Sequence, residues 1–214
     1  MKKTYVVFDF DGTVLNTNEI IIDSWQAVFR RYTGSEGDEK VIFSSFGEPL
    51  YATMRKFFPD EDVEEAVRTY REYQVANYSG KVHLFPGLEE LVQDLRDRGY
   101  STSVVTSRTK VSTEAYMEQF GIRDLFDVII TCDDVQEHKP DPAPLNKALE
   151  LLGALPEEAI MLGDSKYDIG CANNAGVDSV LVTWGHEADQ EEMDAFGFAP
   201  THRIALPEEL LELI

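Results

Sequence analysis

Short apolar runs alternate with amphipathic stretches along most of this chain. Tyr5, Val6, Val7 and Phe8 form a near-continuous apolar run, so residues 4–10 read as a strand buried on both faces, as in a parallel sheet. Leu88, Leu91, Val92 and Leu95 recur at i, i+3, i+4 and i+7, which predicts a helix over 88–98, with Pro86 before it and Gly99 as its stop. A strand over 101–106, a helix over 111–120 closed by Gly121, and a strand over 128–131 follow. Asp141-Pro142 supplies an N-cap and a first-turn proline for a helix ending at Gly153. Strands over 159–162 and 179–183 flank a helix over 167–175, and a short strand over 202–204 and a helix over 207–213 finish the chain.

This alternation predicts an α/β fold, a parallel sheet doubly wound with helices on both faces. One segment departs from it. Residues 17–80 carry helical periodicity only, in stripes formed by Ile20, Ile21, Ser24, Trp25, Val28 and Phe29, then by Leu50, Met54, Phe57 and Phe58, then by Val63, Val67, Tyr70, Tyr73 and Tyr78. Their aromatics read as the core of a helical bundle. The expected organisation is a Rossmann-type core of residues 1–16 and 81–214 with an inserted helical cap over 17–80. Ligands of open α/β sheets bind beyond the C-terminal ends of the strands. An insert leaving the first strand would lie over that site as a lid.

Charge narrows the partners. Lys plus Arg number 19 against 40 Asp plus Glu, a net −21. That balance argues against nucleic acid and anionic membrane, which attract basic surfaces. No apolar run approaches the ~20 residues of a membrane-spanning helix. Met1-Lys2-Lys3-Thr4 leads into a short apolar run and then two aspartates, unlike a signal peptide. Cys132 and Cys171 offer neither a disulfide framework nor metal-ligand spacing, and read as buried thiols of a cytoplasmic protein. A monomer or weak homodimer is expected.

Candidate chemistry collects at the strand ends. Asp9 and Asp11 lie two residues apart where the first strand stops, so both side chains can face one way. Carboxylates at the rim of a buried sheet repel and lose hydration, at several kcal/mol per ion unless compensated. A divalent cation compensates, and oxygen ligands suit Mg²⁺. Gly12 lets the backbone turn closely around a ligand, and Thr13 follows it. Asp164 stands at the end of the 159–162 strand, with Asp168 one helical turn on. Thr106-Ser107, ending another strand, can cradle phosphate oxygens with hydroxyl and backbone N–H groups. Lys139, in a loop stiffened by Pro140, can neutralise a carboxylate and a bound phosphate. His138 reads as a surface neighbour.

Asp9-Phe10-Asp11-Gly12-Thr13, Val105-Thr106-Ser107, Lys139-Pro140-Asp141-Pro142 and Gly163-Asp164-x-x-x-Asp168 resemble the four ordered motifs of the haloacid dehalogenase (HAD) superfamily. The 17–80 insert is similar to the small helical cap of many members. The resemblance implies a Mg²⁺-dependent phosphatase acting on a small phosphorylated substrate. It makes Asp9 the nucleophile that forms an aspartyl-phosphate, and Asp11 the acid and then base at the leaving oxygen and the water. It implies metal ligation by Asp9, Asp164 and the backbone carbonyl of Asp11. Thr106, the Ser107 amide and Lys139 would hold phosphoryl oxygens. Asp168 would support the metal or orient Lys139, and Thr13 would assist Asp11.

Within the family, Asp11 argues against a dehalogenase, and the lack of a histidine near residues 20–22 against a β-phosphoglucomutase-like enzyme. Phosphoglycolate phosphatases and a bacterial pyrophosphatase look nearest. Asn16-Thr17-Asn18-Glu19, Tyr70-Arg71-Glu72-Tyr73 and Asp133-Asp134-Val135-Gln136 resemble segments of the latter. Asn16 and Arg108 stand where aspartate and lysine are commoner. In the cap, Gly47-Glu48-Pro49-Leu50 and Arg55 are candidates for contacting the leaving group. A non-catalytic metal- or phosphate-binding module on the same fold is the alternative from another class, and it would need Asp9 or Asp11 replaced.

Overall fold

The computed structural model describes residues 3–185, 193 and 195–214. In chain order the main elements are β1 (Tyr5–Phe8), β2 (Leu15–Asn16), α1 (Asn18–Thr33), α2 (Glu39–Phe43), α3 (Leu50–Phe57) and α4 (Val63–Asn77). Then come β3 (His83–Leu84), α5 (Leu88–Asp97), β4 (Ser101–Val105), α6 (Lys110–Phe120), β5 (Val128–Ile130) and α7 (Ala143–Leu152). The last are β6 (Ala159–Gly163), α8 (Lys166–Ala175), β7 (Asp178–Val182) and β8 (His202–Ile204).

Six strands form one sheet in the order β5-β4-β1-β6-β7-β8, every pairing parallel. Alternation along β1 explains why its apolar run is continuous. Val6 and Phe8 pack with Leu88, Leu91, Val92 and Leu95 of α5 and Met117 of α6. Val7 points to the other face, among Leu145, Ala148 and Leu149 of α7 and Cys171 and Ala172 of α8. The chain winds outward from β1 through β4 to β5, then returns to β6 and winds the other way. That reversal leaves a crevice at the C-terminal ends of β1, β4 and β6, where doubly wound sheets bind ligands.

Helices α1–α4 form a bundle with its own apolar cluster of Trp25, Val28, Ile42, Met54, Phe58, Ala66, Val67 and Tyr70. Trp25 meets Phe57 and Tyr70 edge-on, with ring centroids 5.3 and 5.1 Å away. The strands entering and leaving the bundle pair antiparallel, Leu15 opposite Leu84 and Asn16 opposite His83. Both crossings therefore lie side by side next to the crevice.

The structure departs from the sequence reading in a few places. The first strand stops at Phe8, because Val14 and Leu15 donate to the Phe10 carbonyl and turn the chain. Residues 207–212 form a 3₁₀ helix, not an α-helix, and its buried residues Pro207 and Leu210 are three apart, matching three residues per turn. Helix α2 and the β2–β3 pair are additions too short to show a period. Cys171 is buried as expected, but Cys132 is only half-buried. Among the described residues, no helix is long and apolar enough to cross a membrane.

Candidate active site

Asp9 follows β1 and stays in register, its amide donating to the Leu162 carbonyl at 2.8 Å. Asp164 follows the neighbouring β6, and Asp168 sits in the first turn of α8. The carboxylate oxygens of Asp9, Asp164 and Asp168 lie within 4.8 Å of one another. Lys139, 3% exposed, enters from the loop before α7. Its Nζ donates to Asp9 Oδ1 at 2.6 Å, Asp168 Oδ1 at 2.5 Å and the Val105 carbonyl at 3.2 Å, so all three ammonium protons have acceptors. Asp168 Oδ2 accepts from the Ser165 amide at 3.1 Å and its hydroxyl at 2.5 Å. Ser165 is the N-cap of α8, in a capping box with Asp168.

Three buried carboxylates thus lie together with one ammonium, which pairs with two of them, Asp9 and Asp168. Burial and then the Asp168 charge push Asp9 up to about 7, against the pull of Lys139. Burial, Asp168 and Asp9 raise Asp164 well above the usual carboxylate range. Burial alone would lower Lys139, but the charges of Asp168 and Asp9 outweigh it and hold it protonated.

The donor set suits a hard divalent cation. Both Asp168 oxygens are engaged by Lys139 and Ser165, while Lys139 reaches Asp9 through Oδ1 alone and the Asp164 carboxylate has no ammonium partner among the described residues. Gly12, at φ +78°, packs directly on Asp164. A Cβ there would come within 1.9 Å of Asp164 Oδ2. Oxygen-only ligands and excess negative charge in a site cradled by glycine are what such an ion needs.

Asp11 is placed differently. Its carboxylate turns to Arg108, whose Nε and Nη2 donate at 2.9 and 2.6 Å, and to Thr17, whose hydroxyl donates at 2.7 Å. Burial would raise this carboxyl, but the Arg108 charge and these hydrogen bonds hold it below its ordinary value. Arg108 in turn lies 4.8 Å over the Tyr116 ring. Thr13 makes no such contact, its buried hydroxyl having no hydrogen-bond partner among the described residues. Thr17 supplies the hydroxyl instead, a role hidden in sequence because Thr17 reads as the start of the first bundle helix.

Thr106 continues β4, and its hydroxyl accepts from the Arg108 amide at 3.1 Å. The Ser107 hydroxyl donates to the Gly47 carbonyl of the bundle at 2.9 Å. Between bundle and sheet lies a cavity of about 1040 Å³, lined by Asp9, Asp11, Thr106, Ser107, Lys139 and Asp164 on the sheet side. Trp25, Glu48, Tyr51, Tyr70 and Arg71 line it on the bundle side. His138 lines it as well. Residues 47–50 reach the cavity as expected, but the Glu48 carboxylate is engaged by Tyr167 (2.7 Å), Thr53 (2.8 Å) and Lys56 (3.3 Å). Arg55 lies outside, exposed over Tyr51, while Tyr70 serves both the bundle core and the cavity wall.

The model of the haloacid dehalogenase-like hydrolases matches residues 6–182, and the chain belongs to that family. It is an enzyme of the hydrolase class. It is 37% identical over 184 residues to the pyrophosphatase PpaX of Bacillus cereus, covering 86% of this chain and 85% of the relative. It is 38% identical over 182 residues to that of Halalkalibacterium halodurans, covering 85% and 84%. Among solved structures, a Lactobacillus plantarum protein provisionally named a phosphoglycolate phosphatase superposes with a TM-score of 0.86, at 26% identity and 100% coverage of both chains. A haloacid dehalogenase-like family hydrolase of Streptococcus pneumoniae gives 0.84 at 25% identity, covering 99% of this chain and 98% of the other.

Proposed function

We propose that this chain is a Mg²⁺-dependent phosphatase of small phosphorylated metabolites, built as a core of residues 1–16 and 81–214 with a helical cap over 17–80. The observation that carries the reading is the buried Asp9–Lys139–Asp168 arrangement beside Asp164, in a member of this hydrolase family. Asp9 attacks phosphorus, forming an aspartyl-phosphate as the bond to the leaving oxygen breaks. Asp11, held here as a carboxylate by Arg108, would leave that pairing and take up a proton before giving it to the leaving oxygen, and would then take one from the water that hydrolyses the intermediate. Lys139, the Thr106 hydroxyl and the Ser107 amide hold the phosphoryl oxygens, and Asp168 fixes Lys139. Asp9, Asp164 and the Asp11 backbone carbonyl would hold Mg²⁺, which when bound neutralises charge around the phosphoryl group.

Phosphoglycolate and pyrophosphate are the first substrates to try, since relatives and structural neighbours carry those names. The 36–38% identity to pyrophosphatases gives the second its own support. The reading is tested by phosphate release from a panel of small phosphorylated metabolites, with Mg²⁺ and with chelator. Metal-dependent turnover of at least one member supports it, and no turnover with any divalent ion favours a non-catalytic module.

A further inference from the structure

Among the described residues, three Lys or Arg side chains line the cavity, and one of them differs from the others. Lys139 is paired with Asp9 and Asp168, and Arg108 with Asp11. Arg71, on α4, lines the same cavity half-buried, yet among the described residues no carboxylate lies within ion-pair distance of it. Nor does it donate a hydrogen bond to any described residue. In a chain with 40 acidic residues against 19 basic ones, a cavity arginine with no ion-pair partner among the described residues is an unusual placement.

What orients Arg71 is an aromatic face. Its guanidinium lies 5.9 Å from the centroid of Tyr51, a ring fixed by its hydroxyl donating to Glu64 at 2.9 Å. Stacking positions a guanidinium without using its N–H groups, so a planar fork of donors is left for whatever enters the cavity. Arg55 shares the same ring at 5.8 Å but is exposed and lies outside the cavity.

We propose that Arg71 is a specificity residue that receives a second acidic group of the substrate, a phosphate or a carboxylate carried on the leaving group, while the transferred phosphoryl group sits at Asp9 and Lys139. The inference rests on the phosphatase reading above. A protein of charge −21 repels a multiply charged anion unless a cation waits at each acidic end. The arginine fork matches phosphate and carboxylate alike. Because Arg71 belongs to the bundle and Lys139 to the sheet domain, a substrate with two acidic ends would bridge them.

The test compares kcat/KM for pyrophosphate, phosphoglycolate and p-nitrophenyl phosphate, which lacks a second acidic group. The proteins are wild type, Arg71→Met and Arg71→Lys. The expected result is that Arg71→Met lowers the ratio of the preferred acidic substrate to p-nitrophenyl phosphate by about tenfold or more, chiefly through KM, with part of the ratio restored in Arg71→Lys. A ratio that falls for pyrophosphate alone identifies a phosphate as the group, and one that falls for phosphoglycolate alone a carboxylate. An unchanged ratio in both variants overturns the role of Arg71. Absence of turnover of all three by wild type overturns the phosphatase reading instead.

Discussion

Arg108 grips Asp11 by both carboxylate oxygens, with Nε 2.9 Å from Oδ2 and Nη2 2.6 Å from Oδ1. The arginine side chain is 7% exposed and the aspartate 25%. Arg108→Ala therefore leaves a mostly buried carboxylate with only the Thr17 hydroxyl. The expected cost is about 2 kcal/mol, below the usual range for fully buried pairs because Asp11 keeps some solvent. The folded carboxyl is held low, so this stabilisation is present above the ordinary carboxylate pKa and is lost as pH falls through the depressed value. Melting temperatures of wild type and variant should differ at pH 7 and converge on acidification. A gap that persists in acid would count against the ion pair as its source.

Asp9 bears on the metal-free protein. Its pKa rises from 3.8 to about 7, so the folded state favours the protonated form. A raised carboxyl contributes stability that is complete below about 4 and lost as pH climbs through 7. In chelator, the melting temperature should drop by several degrees between pH 5 and pH 8, and Mg²⁺ should remove most of that drop. A flat metal-free profile would mean that the buried charge is balanced in some other way.

Gly12 is required twice over, by its φ of +78° and by the 1.9 Å approach of a Cβ to Asp164. Gly12→Ala pays roughly 1–2 kcal/mol in backbone strain and displaces the Asp164 carboxylate. The chain should still fold, while the Mg²⁺ concentration for half-maximal activity rises about tenfold or more. Titration of activity with Mg²⁺ at constant substrate checks this.

The sheet was readable because β1 is apolar on both faces, because α5 has one strong apolar stripe, and because glycine or proline marks ends of α5, α6, α7 and α8. The convergence of Asp9, Asp164 and Lys139 could be anticipated from their combination, two carboxylates directly after apolar strands and a lysine in a loop stiffened by Pro140, and their side chains do meet. What sequence could not give was direction. Asp11 sits two residues from Asp9, yet its carboxylate points to Arg108, a partner 97 positions away. Thr13 was the helper expected from the sequence, yet after the turn at Phe10 it is Thr17 that donates to Asp11, while the Thr13 hydroxyl has no partner among the described residues. Tyr70 and Arg71 fall on a helix whose stripe says core, so their exposure to the cavity depends on how the bundle docks, through Tyr167 on Glu48 and Ser107 on Gly47.

Asp9 is the proposed nucleophile of a metal-dependent phosphoryl transfer. Phosphate release by wild type and Asp9→Asn, with Mg²⁺ and with chelator, paired with mass analysis of acid-quenched protein, tests it most directly. Wild type should turn over only with metal and carry a phosphoryl adduct on the Asp9 peptide, and the Asp9→Asn protein should fold yet show neither. Turnover by Asp9→Asn within about tenfold of wild type, or an adduct on another residue, would contradict it.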